Sequence, residues 1–159
     1  MWLLRATRVA AAAVAVATCM AAPAYAADNL AGTWRLNVSK SKYSAGAPPK
    51  SQVTKIEAVD GGIREIVDRV NADGKKVHWE WTVKYDGKDY PVNGDPDRDA
   101  ASIRRIDDYT VEVVNKKNGK VTTTMRIVVA RDGKTRTNAV TGVNAAGQKV
   151  DNVLFFEKE

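Results

Sequence analysis

Residues 73–87 read DGKKVHWEWTVKYDG, with Val77, Trp79, Trp81, Val83 and Tyr85 alternating against Lys76, His78, Glu80, Thr82 and Lys84 between two Asp-Gly pairs. A period of two sends successive side chains to opposite faces, so this stretch is a β-strand with one apolar and one polar face. Asp-Gly and Asn-Gly suit two-residue hairpins because the favoured turns need a left-handed backbone there. The same punctuation returns at Asn118-Gly119 and Asp132-Gly133, so the strand belongs to a meander.

Outward from this strand the alternation continues. Residues 33–38 place Trp34, Leu36 and Val38 on one side. A short strand around Tyr90 and Val92 precedes strands over 102–106 and 109–116, the latter with Tyr109, Val111 and Val113 together. Val121, Thr123, Met125, Ile127 and Val129 form another face, 135–141 is a weak polar strand, and 150–157 sets Leu154 and Phe156 opposite Val153 and Phe155. Residues 51–70 carry two signals. Ile63, Ile66, Val67 and Val70 form a helical stripe, whereas β-branched content, the Gly61-Gly62 break and the Asp73-Gly74 turn favour strands over 52–59 and 63–70. The strand reading gives an all-β chain, an up-and-down antiparallel β-barrel of about eight to ten strands, whose closure removes exposed sheet edges. The Pro- and Gly-containing segment 39–50 is the longest break in the pattern and is positioned to cover one mouth of such a barrel.

The first residues have a different character. Arg5 and Arg8, an Ala-rich apolar run and the Ala24-Tyr25-Ala26 site compose a secretory signal peptide over 1–26, cleaved after Ala26, leaving one domain over 27–159 and a periplasmic or secreted location. Its apolar run is shorter than the ~20 residues of a membrane span, so no stable membrane insertion is expected. Cys19, the single cysteine, falls inside the signal; lipidation there is the less favoured reading because Thr18 precedes it. Without Arg5 and Arg8, 23 basic residues face 19 acidic ones, a formal charge of about +4. Because the two signs are interspersed, this reads as a solvated surface, and nucleic acid is not an expected partner.

Few residues offer chemistry. No cysteine follows residue 26, and the one histidine, His78, lies on the polar face beside Lys76 and Glu80, so neither a nucleophile nor a zinc site is expected. The acidic loop Asp95-Pro96-Asp97-Arg98-Asp99 lacks the glycine and closing glutamate of a calcium loop and reads as a polar turn. No catalytic residue, metal or cofactor is therefore expected. Trp79, Trp81 and Tyr85, with Tyr109, Met125 and Phe156 on faces expected to point inward, either line an apolar cavity or fill a solid core.

Gly32-Thr33-Trp34 on the first strand, the meander, and the closing Phe155-Phe156-Glu157-Lys158 resemble the calycin superfamily, in particular lipocalins, fatty-acid-binding proteins and small exported lipocalin-like bacterial proteins. The resemblance implies that Gly32 lets the chain bend into the barrel and that Trp34 plugs its closed end. It also implies an Arg and a Tyr on the last strand holding a ligand carboxylate, where this sequence has Leu154 and Phe156. The resulting expectation is a monomeric exported barrel that binds a small hydrophobic ligand without catalysis. The alternative is an envelope protein-interaction module, such as a protease-inhibitor-like barrel, with a packed core. An enzyme would require inward polar groups such as Arg104, Arg126 or Arg136 beside a carboxylate.

Overall fold

A computed structural model describes residues 28–159; the expected signal peptide, its cleavage site and Cys19 lie outside the described residues. Ten strands follow one another: β1 (Gly32–Leu36), β2 (Ser51–Val59), β3 (Gly62–Val70), β4 (Lys76–Lys84), β5 (Tyr90–Pro91), β6 (Ala100–Asp107), β7 (Thr110–Lys117), β8 (Lys120–Val129), β9 (Thr135–Val143) and β10 (Lys149–Lys158). They form one antiparallel sheet in the order β4-β3-β2-β1-β10-β9-β8-β7-β6-β5. Every strand thus neighbours its sequence neighbour, and β1 pairs with β10 through Trp34–Lys158 and Leu36–Phe156. The remaining edges, β4 and β5, meet at a seam. There the backbones of Glu80 and Asn93 exchange hydrogen bonds of 3.0 Å, and Gly87 N–H donates to Ile103 O at 3.1 Å. The result is a nearly closed up-and-down barrel.

Of the two signals in 51–70, the strand reading holds, as β2 and β3, and the helical stripe does not: β3 pairs residue by residue with β2 and β4 along its whole length. The stripe arose because two inward positions of β3, Glu65 and Arg69, are charged, while Ile66 and Val70 on the outer face are partly covered. Apolar residues were thereby shared between both faces, and period two was masked.

Because the strands alternate in direction, the connections β1–β2, β3–β4, β5–β6, β7–β8 and β9–β10 gather at one end. The opposite half is solid. Trp34, Ile63, Val83, Ile103, Val111, Val113, Val129 and Phe156 fill it and are each no more than 2% exposed. Leu30 plugs that end, its carbonyl accepting the Trp34 indole N–H at 2.8 Å. Beside it, the buried Asp28 carboxylate accepts from Leu30 N–H (2.9 Å), the Tyr85 hydroxyl (2.5 Å) and Arg105 (2.8 Å). Burial and the adjacent Asp28 push the Tyr85 hydroxyl pKa well above its ordinary value, so it donates at all working pH. Tyr85→Phe removes one donor from a buried carboxylate, with an expected loss of about 1–2 kcal/mol, read as a lower urea midpoint at unchanged slope. An unchanged midpoint would show that the Tyr85–Asp28 bond does not fasten this plug.

Candidate functional site

The half of the barrel below the gathered connections is hollow. A cavity of about 310 Å³ opens there, and its wall mixes Trp79, Met125, Val140, Val150 and Leu154 with Gln52, Thr54, Glu65, Arg69, Arg98, Asn115, Thr123, Arg136 and Asn138. The 41–50 loop forms part of the rim through Tyr43, Ala45, Ala47 and Pro49. It is strapped across β10. Lys42 and Val153 exchange backbone bonds of 2.7 and 2.9 Å, Phe155 N–H donates to Ser41 Oγ at 3.0 Å, and Ser44 N–H donates to Asn152 Oδ1 at 2.8 Å. The position assigned to this loop from its composition, over one mouth of the barrel, is where it lies.

Three arginines reach the interior, each with its guanidinium near an aromatic ring. Arg98 lies 5.1 Å from the Trp81 ring, Arg69 4.5 Å from Trp79, and Arg136 4.5 Å from Phe156 and 5.2 Å from Trp34. Arg98 is fully engaged: it donates to Asp95 at 2.9 Å and to Asn115 Oδ1 at 2.7 Å, and stands 3.6 Å from Glu65. Glu65 in turn accepts the Trp81 indole N–H at 3.2 Å. Asp95 also accepts Asp97 N–H at 2.9 Å, so the acidic loop is held as a turn by its own first carboxylate.

Arg136 is different. It sits on β9 at the floor of the cavity, 2% exposed, and neither its Nε nor its Nη1 has a hydrogen-bond partner among the described residues. Burial pulls its pKa down to about 10, with Glu65 opposing that shift, so it remains charged at neutral pH. Arg69, at the rim end of β3, likewise has an unpartnered Nε, and burial lowers its pKa against the pull of Asp95 and Asp97. Trp79 Nε1, Asn138 Oδ1 and the Tyr43 hydroxyl are also buried without partners. Every one of these atoms belongs to a residue lining the cavity.

Among the residues singled out from sequence, Trp79 and Met125 line this cavity. Trp81 and Phe156 point inward but are packed beneath it, each against an arginine. Tyr85 is in the opposite half, bonded to Asp28. Tyr109 falls in the turn before β7, where Asp107 Oδ1 accepts its N–H at 2.8 Å, and its ring lies 5.3 Å from Arg131. The side chain of Asp107 makes 107–109 a turn, so Tyr109 is displaced from the inward row of β7. Gly32 has φ of 133°, and Trp34 is 0% exposed at the plugged end. His78 is exposed, its Nδ1 2.7 Å from Asp68 on the outer face. Arg104 is also outside, paired with Glu112 at 2.8 Å.

The polar lining was not found from sequence. Alternation marks inward positions by apolar residues, whereas the inward rows of β2, β3 and β9 near the cavity carry Gln52, Thr54, Glu65, Arg69, Arg136 and Asn138. The usable signal was the weak, two-sidedly polar character of β9 in a barrel that has no room for a fully solvated strand. Among the described residues no group of three or more His, Cys, Asp or Glu side chains could hold a metal ion, and no helix is long and apolar enough to cross a membrane. No protein-family model matches the chain, and no curated protein matches it in sequence.

Proposed function

We propose that this protein is a binding barrel that takes one small molecule into its interior non-covalently, without turning it over. The observation that carries the proposal is the hollow half: six buried polar atoms without partners, all on residues around one cavity. Leaving a buried polar group unpaired costs about 1–3 kcal/mol, so a protein that keeps several around one space is organised for something that enters it. At about 310 Å³ the cavity is near the lower end of the ~300–1,000 Å³ typical of ligand sites. The apolar parts of an occupant would rest on Trp79, Met125, Val140 and Leu154, and its polar parts on the amides and hydroxyls interspersed among them. This supports an amphipathic ligand over a purely hydrocarbon one, and binding over the alternative of an interaction module with a solid interior. The lipocalin-like character of the barrel and its export to the periplasm or outside belong to the same reading. The meander, the Gly32-Thr33-Trp34 triplet and the basic, Ala-rich first 26 residues support them.

The test is a titration followed by tryptophan emission. Trp79 borders the cavity whereas Trp34 and Trp81 are packed in the core, so an occupant is expected to change the emission of the natural protein and not that of Trp79→Phe. Affinities of about micromolar Kd suffice for detection. A panel of small aliphatic and aromatic acids, amides, alcohols and fatty acids that changes neither emission nor melting temperature would overturn the proposal.

A further inference from the structure

We propose, building on the binding-barrel reading, that the natural occupant is a compact organic oxyanion whose charged oxygens meet Arg136 at the cavity floor and whose second acceptor group meets Arg69, Trp79 Nε1 and Tyr43 under the 41–50 loop. Four of the six unpartnered atoms are pure donors: Arg136 Nε and Nη1, Arg69 Nε and Trp79 Nε1. Only Asn138 Oδ1 is purely an acceptor. A lining so biased towards donors is complementary to a ligand rich in acceptors.

Charge points the same way. The cavity's two buried carboxylates, Glu65 and Asp95, both lie within 4.0 Å of Arg98. Arg136 and Arg69 have no ion-pair partner within 4.0 Å among the described residues. Water entering the cavity can satisfy a donor, but it cannot neutralise a guanidinium, whereas a carboxylate or phosphate does both. The Trp34 and Phe156 rings, 5.2 and 4.5 Å from the Arg136 guanidinium, stabilise the cation without occupying its N–H donors. The two donor groups lie at different depths. Arg136 is beside Trp34 and Phe156 at the solid half, and Arg69 is beside Tyr43 at the rim. One ligand therefore meets donors at both ends, unlike a monoacyl lipid, whose chain would leave one set unpaired.

Calorimetric titration with suberate, 4-hydroxybenzoate and phenyl phosphate, each against an uncharged counterpart (suberamide, 4-hydroxybenzamide, benzyl alcohol), distinguishes carboxylate from phosphate as the source of the oxyanion. At least one anion is expected to bind at least 10-fold more tightly than its neutral counterpart. Arg136→Leu is expected to lose at least 10-fold of that affinity while melting no lower than the natural protein, because removing a buried charge without a partner relieves the fold. Should Arg136→Leu fail to fold, Arg69→Met at the rim serves the same purpose, with a loss of at least 5-fold expected. Equal binding of anions and neutral counterparts, or binding of fatty acids with none of the small anions, overturns the oxyanion inference and leaves the binding barrel standing. Silence from these compounds and from the broader emission panel removes both.

Discussion

Trp34→Ala is expected to destabilise the protein by about 3–5 kcal/mol, seen as a large fall in the urea midpoint at unchanged slope. The indole is 0% exposed, its N–H is tied to Leu30 O at 2.8 Å, and it lies 5.2 Å from the Arg136 guanidinium. It therefore joins three parts of the molecule: the plug at the solid end, the β1–β10 pairing that links the first strand to the last, and the cavity floor. Alanine would open a void at all three and free the backbone carbonyl of Leu30. The substitution also withdraws one of the two rings that hold Arg136, so any affinity for small acids is expected to fall with stability. A loss below about 1 kcal/mol would mean that Trp34 is not the centre of the core.

The second large effect is at a hairpin. Gly62→Ala is expected to cost about 2–3 kcal/mol, because a Cβ at that position would overlap the Val83 carbonyl oxygen and crowd Lys84 Cα at 2.7 Å. The atoms in the way are backbone, so relief requires β4 to move away from β3. Its neighbour provides the comparison. Gly61 has φ of 68° but open space around it, with only Lys84 Cδ at 4.0 Å, so Gly61→Ala carries only the left-handed backbone penalty, about 1 kcal/mol. Paired denaturation curves should rank Gly62→Ala as the more harmful. The reverse order would show that turn conformation, and not the close approach of β4, governs this corner.

The barrel was legible in the sequence because its solid half obeys the simplest rule of a strand. Val111 and Val113, Ile127 and Val129, and Trp79, Trp81 and Val83 are apolar at every second position and all point inward. The turns announced themselves as well: Asn118 has φ of 51° and Gly119 74°, the left-handed pair expected of Asn-Gly. The hollow half obeys the opposite rule. A cavity with a polar lining places Arg136, Asn138, Gln52 and Thr54 where a core would place valine, and from sequence these look like solvent-facing residues. Of the apolar members of the lining, Trp79 and Met125 are the ones that alternation alone marks as candidate ligand contacts. Arg136 was visible as a residue that mattered only if it faced a carboxylate. Nothing local distinguishes it from Arg104, which lies outside with Glu112. The difference is set by register across strands: Arg136 pairs with Phe156 on β10 and Val129 on β8, both buried, so it shares their face.

The seam between β4 and β5 is the most lightly bonded line of the cylinder. Elsewhere each strand is laced to the next by a ladder, but here β5 is two residues long and the hoop is fastened chiefly by the Glu80–Asn93 pair and the Gly87–Ile103 bond. At about 1 kcal/mol net per bond, the backbone bonds across it contribute only a few kcal/mol, less than a full ladder does. Trp79 and Trp81 flank Glu80 on β4, and the loop carrying Asp95 and Arg98 continues from Asn93, so slackening the hoop reshapes the chamber's wall directly. The hollow half is thus least firmly laced along the wall that carries Trp79 and Arg98, both of which border the cavity.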